Sequence, residues 1–366
     1  MNVRKSFSIF AVIVIITVAC ILAASIDSSS IEMLKNADPC YLILAFGLTA
    51  AGWVFDTLKF MALAKASGER LSFRFALSVI WINYFGCAIT PMQSGGGPFQ
   101  IYLLYTKGIS VGKSIAITTV RTLEVLVLLA LVLPVAALCD PALLAKYSYI
   151  KYYAFYILIF VSLALFVLVV SVVRPQWLKH WVNLIFMLLK RIGIVKQNYL
   201  LKPLRWINKE IDAYNVNMKV FTTTGKKWLI LSFLIAIVHE TVYLSIMPCM
   251  IKAAGFNVDY FRCLIAESLL IFMLYFVPTP GGSGVAEGGA AAVIALFVPW
   301  NVAGIVGVSW RIVSEYTGVA LGAGIILKTL GWKNADKIMS SQNGRVGENA
   351  DRRDSEAGSA CDESKQ

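Results

Sequence analysis

Long apolar runs separated by short polar segments organise this chain. They cover residues 7–26, 41–64, 75–90, 113–138, 153–173, 228–251, 262–278 and 301–327. Several reach the ~20 residues that a helix needs to cross the hydrocarbon core, so the pattern predicts an all-α, polytopic membrane protein. The first run follows Arg4 and Lys5, a flank common to signal peptides and first transmembrane helices. Its length, about 20 apolar residues, favours the helix. A lipoprotein reading through Cys20 is disfavoured because Thr17, not Leu, stands three residues before it.

Two runs break the pattern in the same way. Run 75–90 ends at Thr90-Pro91 and is followed by Ser94-Gly95-Gly96-Gly97-Pro98, then by a second apolar piece, 99–105. Run 262–278 ends at Pro278-Thr279-Pro280-Gly281-Gly282-Ser283-Gly284 and resumes over 285–298, rich in Ala and Gly. Pro and Gly clusters at membrane depth release backbone groups that lipid cannot satisfy, so protein or a water-filled cavity must surround them. Both segments are expected to be re-entrant broken helices.

Composition removes the soluble alternative. Apolar residues make up 58% and charged residues 15%, with a mean hydropathy of +0.72. A typical soluble protein has about 25% charged residues, so this chain could not cover its own core, and an ordinary soluble enzyme is excluded. The net charge of +12 could suit nucleic acid or an anionic membrane, and placement decides between them. With each broken segment returning to its starting side, 25 of the 33 Lys and Arg fall on one side. By the positive-inside rule that side is the cytoplasm, so the chain is expected in the cell membrane with both termini cytoplasmic. Lys59, Arg121 and Arg311 remain at membrane depth.

The basic segment 174–227 carries two amphipathic stripes, one of Trp177, Trp181, Ile185 and Leu188, the other of Leu204, Ile207, Ile211, Tyr214, Met218 and Phe221. Apolar residues at helical spacing beside two spans favour helices lying on the anionic inner leaflet over a nucleic-acid module. Tyr147, Tyr149, Tyr152 and Tyr153 suggest an outer aromatic belt. The domain division is therefore a membrane unit over 1–330 and a polar tail over 331–366, expected to be disordered.

Landmarks also recur in order. Lys65-Ala66-Ser67-Gly68 pairs with Lys252-Ala253-Ala254-Gly255, Arg74 with Arg262, Thr90-Pro91 with Thr279-Pro280, Arg121 with Arg311 and Glu124 with Glu315. The spacing stays near 187 to 191 residues throughout. Because the first copy starts outside and the second inside, the copies are expected to be inverted repeats, a transporter arrangement. Close packing by Gly-rich membrane helices is the bland explanation, but it does not account for matched charges.

Charged groups at membrane depth cost ~2.5 to 3.5 kcal/mol or more each, so they face a cavity or one another. Asp56 and Lys59 lie three residues apart, as do Arg121 and Glu124, while Arg311 and Glu315 lie four apart. Internal salt bridges are one reading of these pairs. In the other, Arg121 and Arg311 hold an anionic headgroup, since guanidinium forks match phosphate. Breaks at Gly95, Gly96 and Gly97 and at Gly281 and Gly282 would add helix N-termini with free N–H groups. Gln100 and Glu287 follow these breaks as polar residues in apolar half-helices. His239 and Glu240, with Asp56, could relay protons, although a hydrogen-bonded structural histidine is the commoner explanation of His239.

No nucleophile elbow, phosphate-binding loop or His-rich pattern occurs, and the seven cysteines are scattered. No catalytic residue, metal or other cofactor is expected. The two Pro/Gly motifs, 90–105 and 278–287, resemble those of the lysylphosphatidylglycerol synthase transmembrane, or flippase-like, family over roughly residues 5 to 330. The resemblance implies a polytopic membrane protein that carries an aminoacylated phospholipid to the outer leaflet, a step tied to resistance to cationic antimicrobial peptides. It places Gly95 to Gly97, Gln100, Gly281, Gly282 and Glu287 near the lipid path. In the full-length synthases a cytosolic domain transfers lysine from charged tRNA. The sequence stops soon after its last span, so a flippase or transporter is the expectation. A phosphatidylglycerol lysyltransferase component, or a partner of a separate lipid-modifying enzyme, is the alternative. The expected partners are membrane phospholipids and not nucleic acid.

Overall fold

A computed structural model describes residues 3–25, 37–139 and 197–329, with isolated positions between 159 and 187. The described residues are helical, joined by short turns. In chain order the helices are α1 (Val3–Ser25), α2 (Pro39–Ala66), α3 (Phe73–Ala88), α4 (Gly96–Thr106), α5 (Val111–Cys139) and α6 (Gln197–Thr222). There follow α7 (Lys226–Leu244), α8 (Ile246–Ala253), α9 (Tyr260–Leu274), α10 (Val285–Ile294), α11 (Trp300–Arg311) and α12 (Thr317–Thr329). Run 153–173 lies mostly outside the described residues; the stripe beginning at Trp177, the Tyr147 to Tyr153 cluster and the tail after 330 lie wholly outside them.

Among the described residues, α2 and the joined pair α7 and α8, each spanning 28 residues, are long and apolar enough to cross a membrane. Asp38 caps α2 by accepting from the Cys40 N–H at 2.8 Å, and Pro39 opens its first turn, where no N–H is needed. Both stretches turn large apolar side chains away from the protein: Ile43 is 72% exposed, and Leu44 and Phe46 on α2 and Ile230 and Leu234 on α7 are exposed as well. Such faces suit lipid and would be a liability in water. The two stretches run antiparallel along one another. At one end the Asp38 N–H donates to the Ala253 carbonyl at 2.9 Å. At the other, the Lys65 ammonium lies 3.8 Å from the centre of the Trp228 ring, and Gly225 closes onto the Ala66 carbonyl.

Two expected single helices are interrupted. The run 228–251 divides at Ser245, because Pro248 lacks an N–H and its ring crowds the carbonyl of Leu244. The run 301–327 carries a π-helical turn, Ile312–Tyr316, directly after Arg311. Single π turns inside α-helices accompany functional sites, because they re-aim the side chains around them.

Helix α6 also departs from expectation. Of its apolar stripe, Ile211, Tyr214, Met218 and Phe221 are buried, the last three within the protein core. Glu210 accepts the Gly112 N–H at 2.6 Å, which fixes α6 across the start of α5. The stripe therefore packs on protein rather than on the leaflet surface.

Two apolar cores result. One gathers α3, α4, α5 and α12 with Phe10 of α1, and the other gathers α8, α9, α10 and α11 with the start of α2. Helices α3 and α12 approach closely enough that a Cβ on Gly322 would lie 2.1 Å from the Trp81 carbonyl oxygen. Gly322→Ala is therefore expected to push these helices apart at a cost of about 1 to 3 kcal/mol. A lower apparent melting temperature in detergent would register it, and an unchanged one would contradict the close approach.

Candidate functional site

The two Pro/Gly breaks meet. The Met92 N–H donates to the Val277 carbonyl at 3.0 Å and the Gly281 N–H donates to the Thr90 carbonyl at 3.1 Å, forming an antiparallel bridge between Pro91 and Pro280. Each break thus satisfies backbone groups of the other. The second tip turns through left-handed conformations at Gly281 and Gly282, with φ of 63° and 68°. The first makes the same turn at Met92 and Gln93, each with φ of 54°, at roughly 1 to 2 kcal/mol per non-glycine residue. Gly95 and Gly96 serve another purpose. Cβ atoms there would lie 2.5 Å from Thr90 Cγ2 and 2.2 Å from Asn83 Oδ1, so these glycines admit α4 against α3. Nothing crowds Gly97.

Arg311 braces the joined tips. Its Nη2 donates to the Gly281 carbonyl at 3.0 Å, while Nε lies 3.8 Å from Glu287 and Nη1 3.6 Å from Glu315. Glu287 in turn caps α10 by accepting the Gly284 N–H at 2.6 Å, and it accepts the Tyr316 hydroxyl. Tyr243 donates to Glu315 at 2.8 Å. The N-terminus of α10, expected to be open to an anion, is therefore closed by the chain's own carboxylate.

A second charged group forms between α2, α5 and α7. Asp56 holds Lys59 at 2.9 Å and accepts from Arg121 Nη2 at 2.6 Å. Arg121 thus pairs across helices and not with Glu124 three residues along. Glu124 instead accepts the Ser232 hydroxyl. His239 Nδ1 lies 3.1 Å from Glu240, within electrostatic range of Asp56. Tyr84, Cys87 and Tyr275 sense both Arg121 and Glu315, so the two groups border one zone. Gln100, buried on α4, leaves its amide nitrogen unbonded.

The cavity at the tips is lined by Phe10, Cys87, Gln93, Gly281, Arg311 and Tyr316, among others, and holds about one water's worth of space. A lipid headgroup needs more space than this cavity holds. Among the named groups, the carboxylates Asp56, Glu124, Glu240, Glu287 and Glu315 outnumber the cations Lys59, Arg121 and Arg311. Both arginines are paired with carboxylates in this structure.

Sequence reading missed Tyr243, Tyr316 and Ser232, whose hydroxyls face the buried carboxylates, and the strained pair Met92 and Gln93. Only Tyr316 carried a signal, as the neighbour of Glu315. Removing Asp56 would strand two cations at once. Asp56→Ala is expected to cost about 3 to 5 kcal/mol, seen as lost folded yield and a lower melting temperature. Adding Lys59→Met should recover part of that loss, and a single variant as stable as the wild type would refute the arrangement.

Comparison with known proteins agrees with this architecture. A UPF0104 membrane protein of Archaeoglobus fulgidus is 25% identical over 297 residues, covering 80% of this chain and 87% of that protein. Residues 8–322 match the family described as the lysylphosphatidylglycerol synthase TM region, a span that takes in both breaks and both arginines. A membrane chain whose broken helices close on one another between buried ion pairs thus belongs to the lysylphosphatidylglycerol synthase transmembrane-region family.

Proposed function

We propose that this protein moves a phospholipid between the leaflets of the cell membrane, and that the joined tips braced by Arg311 form its gate. The observation that carries this reading is the contact of the Arg311 guanidinium with the Gly281 carbonyl and with Glu287 and Glu315. A headgroup phosphate competes for the same fork. Taking Arg311 from Gly281 removes a brace from the tips, so phosphate binds the open state in preference to the closed one and shifts the population. Arg121, released from Asp56, receives the phosphate in the same way. Because carboxylates outnumber cations, a headgroup with an amine beside its phosphate fits better than phosphate alone: the amine meets the carboxylates that the arginines leave. An aminoacylated phospholipid such as lysyl-phosphatidylglycerol has that chemistry.

Alternation between two states follows from inverted repeats, and the order of elements supports them. Pro39–Ala66 corresponds to Lys226–Ala253, α3 to α9, α4 to α10, and α5 to α11 with α12, at the spacing of the sequence landmarks. Met92 and Gln93 stand where Gly281 and Gly282 stand in the other half, and the bridge between Pro91 and Pro280 joins equivalent residues. Rocking one half against the other would open the slot to each leaflet in turn.

Two experiments test this. Arg70 and Asn257 occupy equivalent loops of the two halves, so cysteines replacing them should react with an impermeant thiol reagent from opposite faces; reaction from one face overturns the inverted arrangement. In liposomes containing lysyl-phosphatidylglycerol, an impermeant amine reagent should detect lysyl groups reaching the outer leaflet faster with protein than without. Arg311→Lys keeps the charge but loses the fork, and Arg121→Ala loses both; each should slow movement roughly 10- to 100-fold at normal folded yield. Unchanged rates would remove the arginines from the mechanism. Co-purification with a lipid-modifying enzyme, without lipid movement, would favour a non-transporting partner.

A further inference from the structure

Glu267, on α9, takes no part in the networks above. It is fully buried, and neither carboxylate oxygen has a hydrogen-bond partner. The side-chain donor that acts on it is the Trp310 indole on α11, and the two stop short of a hydrogen bond, leaving the indole nitrogen unpartnered as well. The hydroxyl next to it, on Ser268, is already committed to the Leu264 carbonyl at 2.7 Å. The surroundings are tightly packed. Leu270 closes on Gly289 of α10, where a Cβ would meet it at 2.5 Å, and Gly307 of α11 lies against Ala291.

No opposite charge reaches this carboxyl. On the elements packed against α9, the titratable and charged groups are Glu287 of α10; Lys113, Arg121 and Glu124 of α5; Cys249 and Lys252 of α8; and Lys226, Lys227, His239, Glu240 and Tyr243 of α7. On α11 there is Arg311. None forms an ion pair or hydrogen bond with Glu267. Cys263, one turn earlier on α9, is the nearest titratable side chain on its own helix. An ionised carboxylate stranded this way costs several kcal/mol even after relaxation, whereas the neutral acid costs far less.

Its position matters as much as its isolation. Helix α9 is the arm that leads into the second tip, and α11 runs from Trp310 straight into Arg311 and the π turn. If the tips part, the arm moves relative to α11, whose Trp310 indole faces Glu267. From the juxtaposition of an unpartnered, sealed carboxyl with the joint between the hairpin arm and the Arg311 helix, we propose that Glu267 is a proton-binding site that couples gate opening to proton transfer. In the closed state the group is COOH. When the joint opens, water accepts the proton and leaves COO⁻ and hydronium; closure requires the proton back, from whichever side the joint then faces. One proton therefore accompanies each cycle. The coupling rests on the transport reading above, while proton binding at Glu267 does not.

Infrared difference spectroscopy on the full chain in phosphatidylglycerol vesicles separates the two. At neutral pH the wild type should show a protonated-carboxyl stretch that Glu267→Gln, an isostere of the neutral acid, removes without loss of folded protein. In the same vesicles, movement of a fluorescent lysyl-phosphatidylglycerol should respond to an imposed pH gradient by up to about tenfold per pH unit in the wild type. Glu267→Gln should move the lipid without that response. Identical carboxyl spectra for the two proteins, or an equal gradient response, would overturn the proposal. If the wild type moves no lipid, the transport reading falls, and the carboxyl band alone decides whether Glu267 holds a proton.

Discussion

Two hydrogen bonds between the broken segments, Met92 to Val277 and Thr90 to Gly281, carry the architecture. A helix that stops at membrane depth exposes carbonyls and N–H groups that hydrocarbon cannot satisfy. Here each interruption supplies what the other lacks, so neither can be stable there alone. The rest of the molecule is arranged to bring these tips together. Glycines at Gly95 and Gly96 let α4 press on α3, and Gly307 lets α11 press on α10. The antiparallel pair of 28-residue stretches holds the two halves side by side.

Charge follows the same rule as backbone. Asp56 serves two cations on different helices, and Arg311 is shared among two carboxylates and a backbone carbonyl. Buried pairs of this kind contribute little net stability compared with apolar packing, but breaking one is costly. They therefore act less as glue than as a condition: a state that separates them must supply replacement partners. On the proposed transport reading, a headgroup with both phosphate and amine would be such a replacement, and the stability of this form and the selectivity of opening would be two aspects of one network.

Strain is distributed unevenly between the halves. Left-handed backbone at Gly281 and Gly282 is nearly free, whereas the same turn at Met92 and Gln93 is held by the contacts around it. The π turn after Arg311 introduces a second irregular element on the other side of the cavity.

The sequence alone determined the helical membrane class, most helix positions, both interruptions and the buried charges, because each depends on local hydrophobicity, on Pro and Gly chemistry or on the cost of charge in hydrocarbon. Asp56 and Lys59 could be paired from their spacing, and so could Arg311 and Glu315. Tertiary structure alone decided the rest. Spacing along α5 offered Glu124 to Arg121, but the helix from residue 39 to 66 brought Asp56 nearer, and Glu124 turned to Ser232. Only packing against α5 revealed that the Tyr214, Met218 and Phe221 stripe faces protein, since an apolar stripe looks the same whether lipid or protein covers it. Contact between the tips, and the isolation of Glu267, could not be read from the chain either. Both depend on what approaches from residues far away in sequence, and local pattern carries no record of that.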